Sequence, residues 1–154
     1  MSHRLELRDE PYDGPVAQQL INAVQLEYVQ RYGGPDETPV DPAEFAPPQG
    51  LFMVGYLDGQ AVATGGLRAH SDGEVEIKRM YVVPHARGRG LSRQMLAALE
   101  ERARGLGASR IVLETGDRQP EAISLYESSG YERIPGFGHY ADYPTSYSFA
   151  KKLD

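Results

Sequence analysis

Apolar and polar positions change period several times along this 154-residue chain, and each change marks an element. Leu5 and Leu7 alternate with Arg4, Glu6 and Arg8, the period-2 pattern of a short strand. Val16, Leu20, Ile21, Val24, Tyr28 and Val29 then fall on one helical face, with Asp13 as cap, Pro15 in the first turn and Gly33-Gly34 as stop. Pro35, Pro39, Pro42, Pro47 and Pro48 predict a loop with at most a short helix. Leu51 to Leu57 reads as a strand, Asp58-Gly59 as a hairpin turn and Ala61 to Arg68 as the returning strand. Ser71-Asp72-Gly73 turns the chain again into a strand from Glu74 to Val83. The three strands make an antiparallel meander.

The second half is patterned differently. A helix from about Gly90 to Arg104 carries Leu91, Met95, Ala98, Leu99 and Leu106 on one face, places Glu100 and Arg104 at i,i+4 spacing, and ends at Gly105 and Gly107. Ile111-Val112-Leu113 is the continuous apolar run of a buried strand, so this strand–helix–strand unit predicts a parallel, right-handed crossover. A second helix from about Gln119 to Ser128 opens with Pro120 and closes at Gly130. Tyr131 to Ile134 is a strand, Pro135 to Pro144 a loop, and Ser146 to Lys151 a last strand. No repeat, low-complexity tract or linker interrupts the pattern, which predicts one domain over residues 1–154.

Composition narrows the chemistry. There is no cysteine, which removes disulfides, thiolate metal ligands and a cysteine acyl-enzyme. No apolar run approaches membrane-spanning length and the N-terminus lacks a signal-peptide pattern, so a cytoplasmic protein is expected. The net charge is −6, yet nine basic and only four acidic residues lie between Lys78 and Arg118. One basic segment in an acidic chain suits a compact polyanionic small molecule better than a nucleic acid, which wants a broad basic face.

That segment centres on Glu74-Val75-Glu76-Ile77-Lys78-Arg79-Met80-Tyr81-Val82-Val83-Pro84-His85-Ala86-Arg87-Gly88-Arg89-Gly90-Leu91-Ser92-Arg93. A strand that delivers a glycine loop to a helix N-terminus builds an anion site from backbone N–H groups and the helix dipole. Arg79, Arg87, Arg89 and Arg93 are expected to reinforce it. The turn has neither the Lys-Ser/Thr of a P-loop nor a Gly-x-Gly-x-x-Gly dinucleotide fingerprint. The plain alternative is a surface loop with solvated arginines.

Arg87-Gly88-Arg89-Gly90-Leu91-Ser92 resembles the acyl-CoA motif Gln/Arg-x-x-Gly-x-Gly/Ala of the GCN5-related N-acetyltransferase (GNAT) superfamily, with Ser92 in place of the usual Gly or Ala. A second block, Leu113-Glu114-Thr115-Gly116 followed by Ala122-Ile123-Ser124-Leu125-Tyr126-Glu127-Ser128-Ser129-Gly130-Tyr131, is similar to that family's Ala-x-x-Leu-Tyr-x-x-x-Gly-Phe/Tyr helix. The likeness spans almost the whole chain and is weakest from residue 9 to 50. It implies a mixed α/β (α+β) fold: a mostly antiparallel sheet with one parallel, splayed strand pair, flanked by about four helices. It also implies acetyl-CoA as co-substrate, no metal, and direct transfer to the primary amine of a small molecule or peptide.

By that resemblance the backbone from Gly88 to Arg93 wraps the pyrophosphate, and Met80, Tyr81 and Val82 face the pantetheine arm from a bulged strand. The Val82 N–H then serves as oxyanion donor, and Gln119 bonds the pantetheine. Two glutamates compete as proton acceptor. Glu76 lies 11 positions before Arg87, where histone-acetylating relatives carry their base, and Glu114 stands at the end of the splayed strand. The plain alternative for Glu76 is a strand-face ion pair with Lys78 or a neighbour. Tyr126 matches the family's acid toward the CoA sulfur; its alternative is a core tyrosine.

Five of the ten tyrosines lie between Tyr126 and Tyr147. Phe137, His139 and Tyr140 sit in the glycine-hinged loop that overhangs the acceptor site in this fold, and are the substrate-side candidates; a packed flap without ligand contact is the alternative. Two other functions stay open: an acyl-CoA-binding sensor without turnover, and a nucleotide-phosphate binder using the arginine turn. No membrane partner is expected. The acceptor and the oligomeric state, a homodimer included, are left open by the sequence.

Overall fold

The computed structural model describes residues 4–154. Strands β1 (Glu6–Asp9), β2 (Leu51–Leu57), β3 (Gln60–Ala69), β4 (Glu74–Val82), β5 (Arg110–Gly116), β6 (Glu132–Ile134) and β7 (Ser146–Lys152) form one sheet in the order β1-β2-β3-β4-β5-β7-β6. Every pair is antiparallel except β4–β5. The helices are α1 (Pro15–Tyr32), α2 (Leu91–Gly105) and α3 (Pro120–Ser128). Instead of a fourth helix there are two 3₁₀ turns, Pro42–Phe45 and Pro84–Ala86. The first is fixed by a reciprocal capping box between Asp41 and Glu44.

The central strands are buried on both faces, and β2 shows why its sequence is apolar throughout. Leu51 and Met53 pack with Leu91, Met95, Leu96 and Leu99 of α2, whereas Phe52 and Val54 pack with Ala17, Leu20, Ile21 and Val24 of α1. Tyr12, Phe45 and Phe52 form an aromatic cluster under α1, with Tyr12 stacked on Phe45 at 4.7 Å between centroids.

Two local expectations are corrected. Gly14, extended and without a side-chain bond, caps α1 in place of Asp13. Glu100 does not pair with Arg104. It is buried and takes the Tyr131 hydroxyl (2.8 Å) and Lys151 Nζ (3.2 Å), while Arg104 turns to Glu101 and Asp154. A buried carboxylate needs every partner it can find, and Tyr131 just before β6 and Lys151 of β7 are better ones than the helix surface offers.

Gly50, at the start of β2, is a packing requirement, because a Cβ there would land on the carbonyl oxygens of Glu44 and Leu67. Backbone atoms cannot swing aside as a side chain can. Gly50→Ala should therefore lower stability by about 1–3 kcal/mol, read as a reduced midpoint in urea unfolding with an unchanged slope.

Candidate active site

The central feature is a slot in the sheet. β4 and β5 pair only through Glu74–Arg110, Val75–Ile111 and Glu76–Val112, after which β4 stays with β3 and β5 with β7. A bulge drives the divergence. Two steps along β3, from Thr64 to Gly66, face three along β4, from Tyr81 to Lys78. Arg79 lies in the left-handed region at φ 58°, and its carbonyl accepts a 2.7 Å bond from Thr64 Oγ1. The extra residue inverts the phase of the strand: Val75 and Ile77 pack toward α2, and beyond the bulge Val82 does so while Tyr81 faces α1. Val83 N donates to Val62 O of β3 at 2.9 Å. Consecutive strand N–H groups point to opposite edges, so the Val82 N–H faces the slot. A cavity of about 290 Å³ follows the slot past Met80, Tyr81, Val82, Gly88, Ser92 and Tyr126.

At one end of this cavity the chain enters α2. Gly88 and Gly90 adopt φ 80° and 76°, which glycine reaches without strain. Gly90 caps α2 with no side-chain bond, and Gln94 N to Gly90 O is the first bond of the helix. The N–H groups of Leu91, Ser92 and Arg93 thus remain as donors at the positive end of the dipole. Leu91 contributes backbone only, its side chain being buried in the core.

The four arginines divide. Arg89 is exposed at the turn, and Arg93 reaches across to the hydroxyls of Ser128 and Ser129. Arg87 bonds Val82 O (2.9 Å) and pairs with Glu27 of α1 (2.7 Å). Arg79 does not join the turn: the bulge sends its side chain into the α1 layer, where Asp36 holds it at 2.6 Å.

On the α1 face the slot opens into a second cavity of about 350 Å³. Its walls include Tyr28, Tyr32, Tyr140 and Tyr143. The two cavities share Tyr28, Asp36, Lys78, Glu114, Thr115 and Gln119. Glu114 is half-buried. Its Oε2 accepts the Tyr140 N–H at 3.2 Å, and its buried Oε1 has no hydrogen-bond partner. Desolvation pushes this carboxyl above the ordinary glutamate value, with the nearby Lys78 charge acting the other way.

Lys78 is bound at 2.8 Å by Asp36, which also holds Arg79 and accepts Thr38 N and Oγ1. Burial opposes ionisation of Asp36, but the two cations outweigh it and hold its carboxyl well below the usual range. Tyr126 is 6% exposed, stacks edge-on against Tyr131, and keeps its hydroxyl free of any protein partner among the described residues. Burial raises its pKa.

The two glutamates separate clearly. Glu76 is 3% exposed, pairs with Arg68 Nε at 2.9 Å and lines neither cavity. Its partner is a neighbour across β3 rather than Lys78. Glu114 lines both cavities. Gln119 also lines both, with its Nε2 on Tyr32 Oη at 3.3 Å. Of the loop candidates only Tyr140 reaches the second cavity, where its hydroxyl accepts Glu37 N at 2.6 Å. Phe137 packs on His70 and His139 on Tyr140. Sequence reasoning passed over Tyr28, Tyr32, Asp36 and Lys78. The i,i+4 tyrosines just before Gly33-Gly34 were the available signal for the first two; Asp36 had none in its irregular segment.

A bulged strand splayed from its parallel neighbour, beside a glycine turn and a tyrosine-bearing helix, defines an acyltransferase of the GNAT class. The comparisons agree. A family model for the Acetyltransferase (GNAT) family matches residues 17–131, and the chain belongs to that family. It is 33% identical over 147 residues to IAA acetyltransferase of Azospirillum brasilense, covering 95% of each chain. Among solved structures, a protein of Klebsiella pneumoniae described as an acyl-CoA N-acyltransferase superposes with a TM-score of 0.84 at 28% identity, over 99% of this chain and all of that one. PaiA N-acetyltransferase of Thermoplasma acidophilum, solved in complex with coenzyme A, shares the fold at TM-score 0.73 and 15% identity, over 99% of this chain and 100% of that one. Among the described residues no helix is long and apolar enough to cross a membrane, and no group of three or more His, Asp or Glu is placed to hold a metal ion.

Proposed function

We propose that this protein transfers the acetyl group of acetyl-CoA directly to the primary amine of a small molecule, with Glu114 as proton acceptor and Tyr126 as donor toward the sulfur. One observation carries the reading. The slot between β4 and β5 brings an inward-facing Val82 N–H, the Tyr126 hydroxyl and the half-buried Glu114 carboxyl to the lining of a single cavity. The coenzyme A complex of PaiA supports the choice of donor.

Each group answers a requirement of the chemistry. The free α2 N–H groups and the exposed Arg89 suit a pyrophosphate. The Val82 N–H suits the oxygen that gains charge when an amine attacks a thioester carbonyl. An alkyl ammonium has a pKa of about 10.4, so forming the neutral nucleophile at pH 7 costs roughly 4–5 kcal/mol, and a carboxylate at the opening can take that proton. The limited volume of the second cavity, about 350 Å³, favours a small amine over a folded protein tail. The chain has no cysteine for an acyl-enzyme, which favours direct transfer. The pH–rate profile tests the base. The rate should rise as Glu114 loses its proton, and because burial raises that pKa the limb should stand above the ordinary glutamate value of about 4.3. A limb that follows Glu76→Gln instead of Glu114→Gln would overturn the assignment.

The Glu27–Arg87 pair yields a smaller prediction. The carboxylate at the mouth of the slot occupies the arginine that a pyrophosphate would attract. Glu27→Gln should tighten acetyl-CoA binding by about twofold to fivefold, the scale of one half-exposed ion pair, as measured by titration calorimetry.

A further inference from the structure

Asp36 sits where the two cavities meet, yet the proposed reaction gives it no task. The structure holds its carboxylate on every side. Oδ2 takes Lys78 Nζ at 2.8 Å and Arg79 Nη1 at 2.6 Å, and Oδ1 takes Thr38 N at 3.0 Å and Thr38 Oγ1 at 2.6 Å. Its backbone is clamped as well, with Asp36 N on Gln25 Oε1 at 2.8 Å and Asp36 O receiving Gln25 Nε2 at 3.3 Å. So many contacts fix one carboxylate in one position. What that position does is take up the ammonium of Lys78, which lines both cavities together with Glu114.

We infer that Asp36 is a positioning residue: it draws the Lys78 ammonium away from Glu114 and so leaves the Glu114 carboxylate without an ion-pair partner, able to act as base toward the acceptor amine. This rests on the reading of Glu114 as the base. Glu114 Oε1 is buried without a partner, although a buried lysine shares its cavity. Two such opposite charges in a low-dielectric site attract strongly and would pair unless a better partner held one of them. Asp36 is that partner, and Arg79, turned inward by the bulge, locks it from behind. The charges that act on Glu114 are those of Lys78 and Glu76 of β4 and Asp36 of the segment after α1, and the backbone N–H of Tyr140 donates to it from the loop before β7. Lys78 is the cation among them. If it moved onto Glu114, the base would be neutralised and its remaining oxygen filled.

The test is a set of variants read by pH profile. In Asp36→Asn the rising limb of kcat/KM for the amine should move at least one pH unit lower, kcat should fall at least tenfold, and KM for acetyl-CoA should stay within threefold. The double variant Asp36→Asn/Lys78→Met removes the released ammonium, and should return the limb to or above its wild-type position and recover kcat at least fivefold. Lys78→Met alone, which leaves Asp36 paired with Arg79, should move the limb upward and serves should Asp36→Asn fail to fold. A structural role alone would lower the melting temperature and move the limb only by the loss of the Asp36 charge itself, short of the one-unit shift. An unmoved limb in Asp36→Asn, a downward move in Lys78→Met, or a double variant no better than Asp36→Asn would overturn the inference. Failure of the base assignment itself would look different, because Glu114→Gln would then retain the rising limb.

Discussion

Glu114→Gln is expected to lower kcat at pH 7 by about 10²–10⁴-fold, to replace the rising limb set by Glu114 with one that follows the amine's own ionisation, and to leave acetyl-CoA affinity within threefold. The magnitude follows from the proton. At pH 7 only about one alkylamine in a few thousand is neutral, so an enzyme that cannot take the proton depends on that fraction. The amide fills the same space and still accepts the Tyr140 N–H at its oxygen, but it is not basic. Raising the pH supplies neutral amine without help, so the gap between wild type and variant should narrow toward pH 10. A constant gap across that range, or a normal rate at pH 7, would remove Glu114 as the base.

Tyr126→Phe is expected to lower kcat by about tenfold to 100-fold, with acetyl-CoA binding unchanged. The effect should be smaller than that of the base, because a departing thiolate, near pKa 8.5, is a weaker base than an alkylamine and needs less assistance. The ring belongs to the core, against Tyr131 at 5.7 Å and Phe149 at 6.1 Å, and phenylalanine preserves both contacts. The comparison therefore isolates the hydroxyl, which has no protein partner to lose among the described residues. A fall in melting temperature with unaltered kcat would make Tyr126 a core residue and nothing more.

Strand order, the parallel crossover and the turn from Val82 to Arg93 were legible because each rests on local pattern: alternation, a continuous apolar run, glycines at a helix start. Tyr126, singled out by its motif, lines the slot cavity. What the sequence hid was long-range pairing. Glu76 and Glu114 are both strand glutamates, and only the register across β3 gives Arg68 to Glu76 and leaves Glu114 with an oxygen that has no hydrogen-bond partner. Glu100 looked like a helix-surface charge and proved to be held from β7 and by Tyr131. The bulge was anticipated by family likeness, but not its residue. Arg79 has no local reason to adopt φ 58°, and the conformation removes it from the turn where its charge was expected. Asp36 lay in a proline-rich stretch with no periodicity to read.

The central claim is that the slot between β4 and β5 presents acetyl-CoA to an amine for turnover, not only for binding. The most direct measurement is release of free thiol from acetyl-CoA across a panel of amino acids, polyamines, aminosugars, aminoglycosides, arylalkylamines and short peptides, with the N-acetyl product counted by mass spectrometry. The account predicts at least one small amine that releases one thiol per acetylated product, and no release beyond background without amine. Saturable acetyl-CoA binding with no thiol release for any amine would contradict it and make the protein an acyl-CoA sensor.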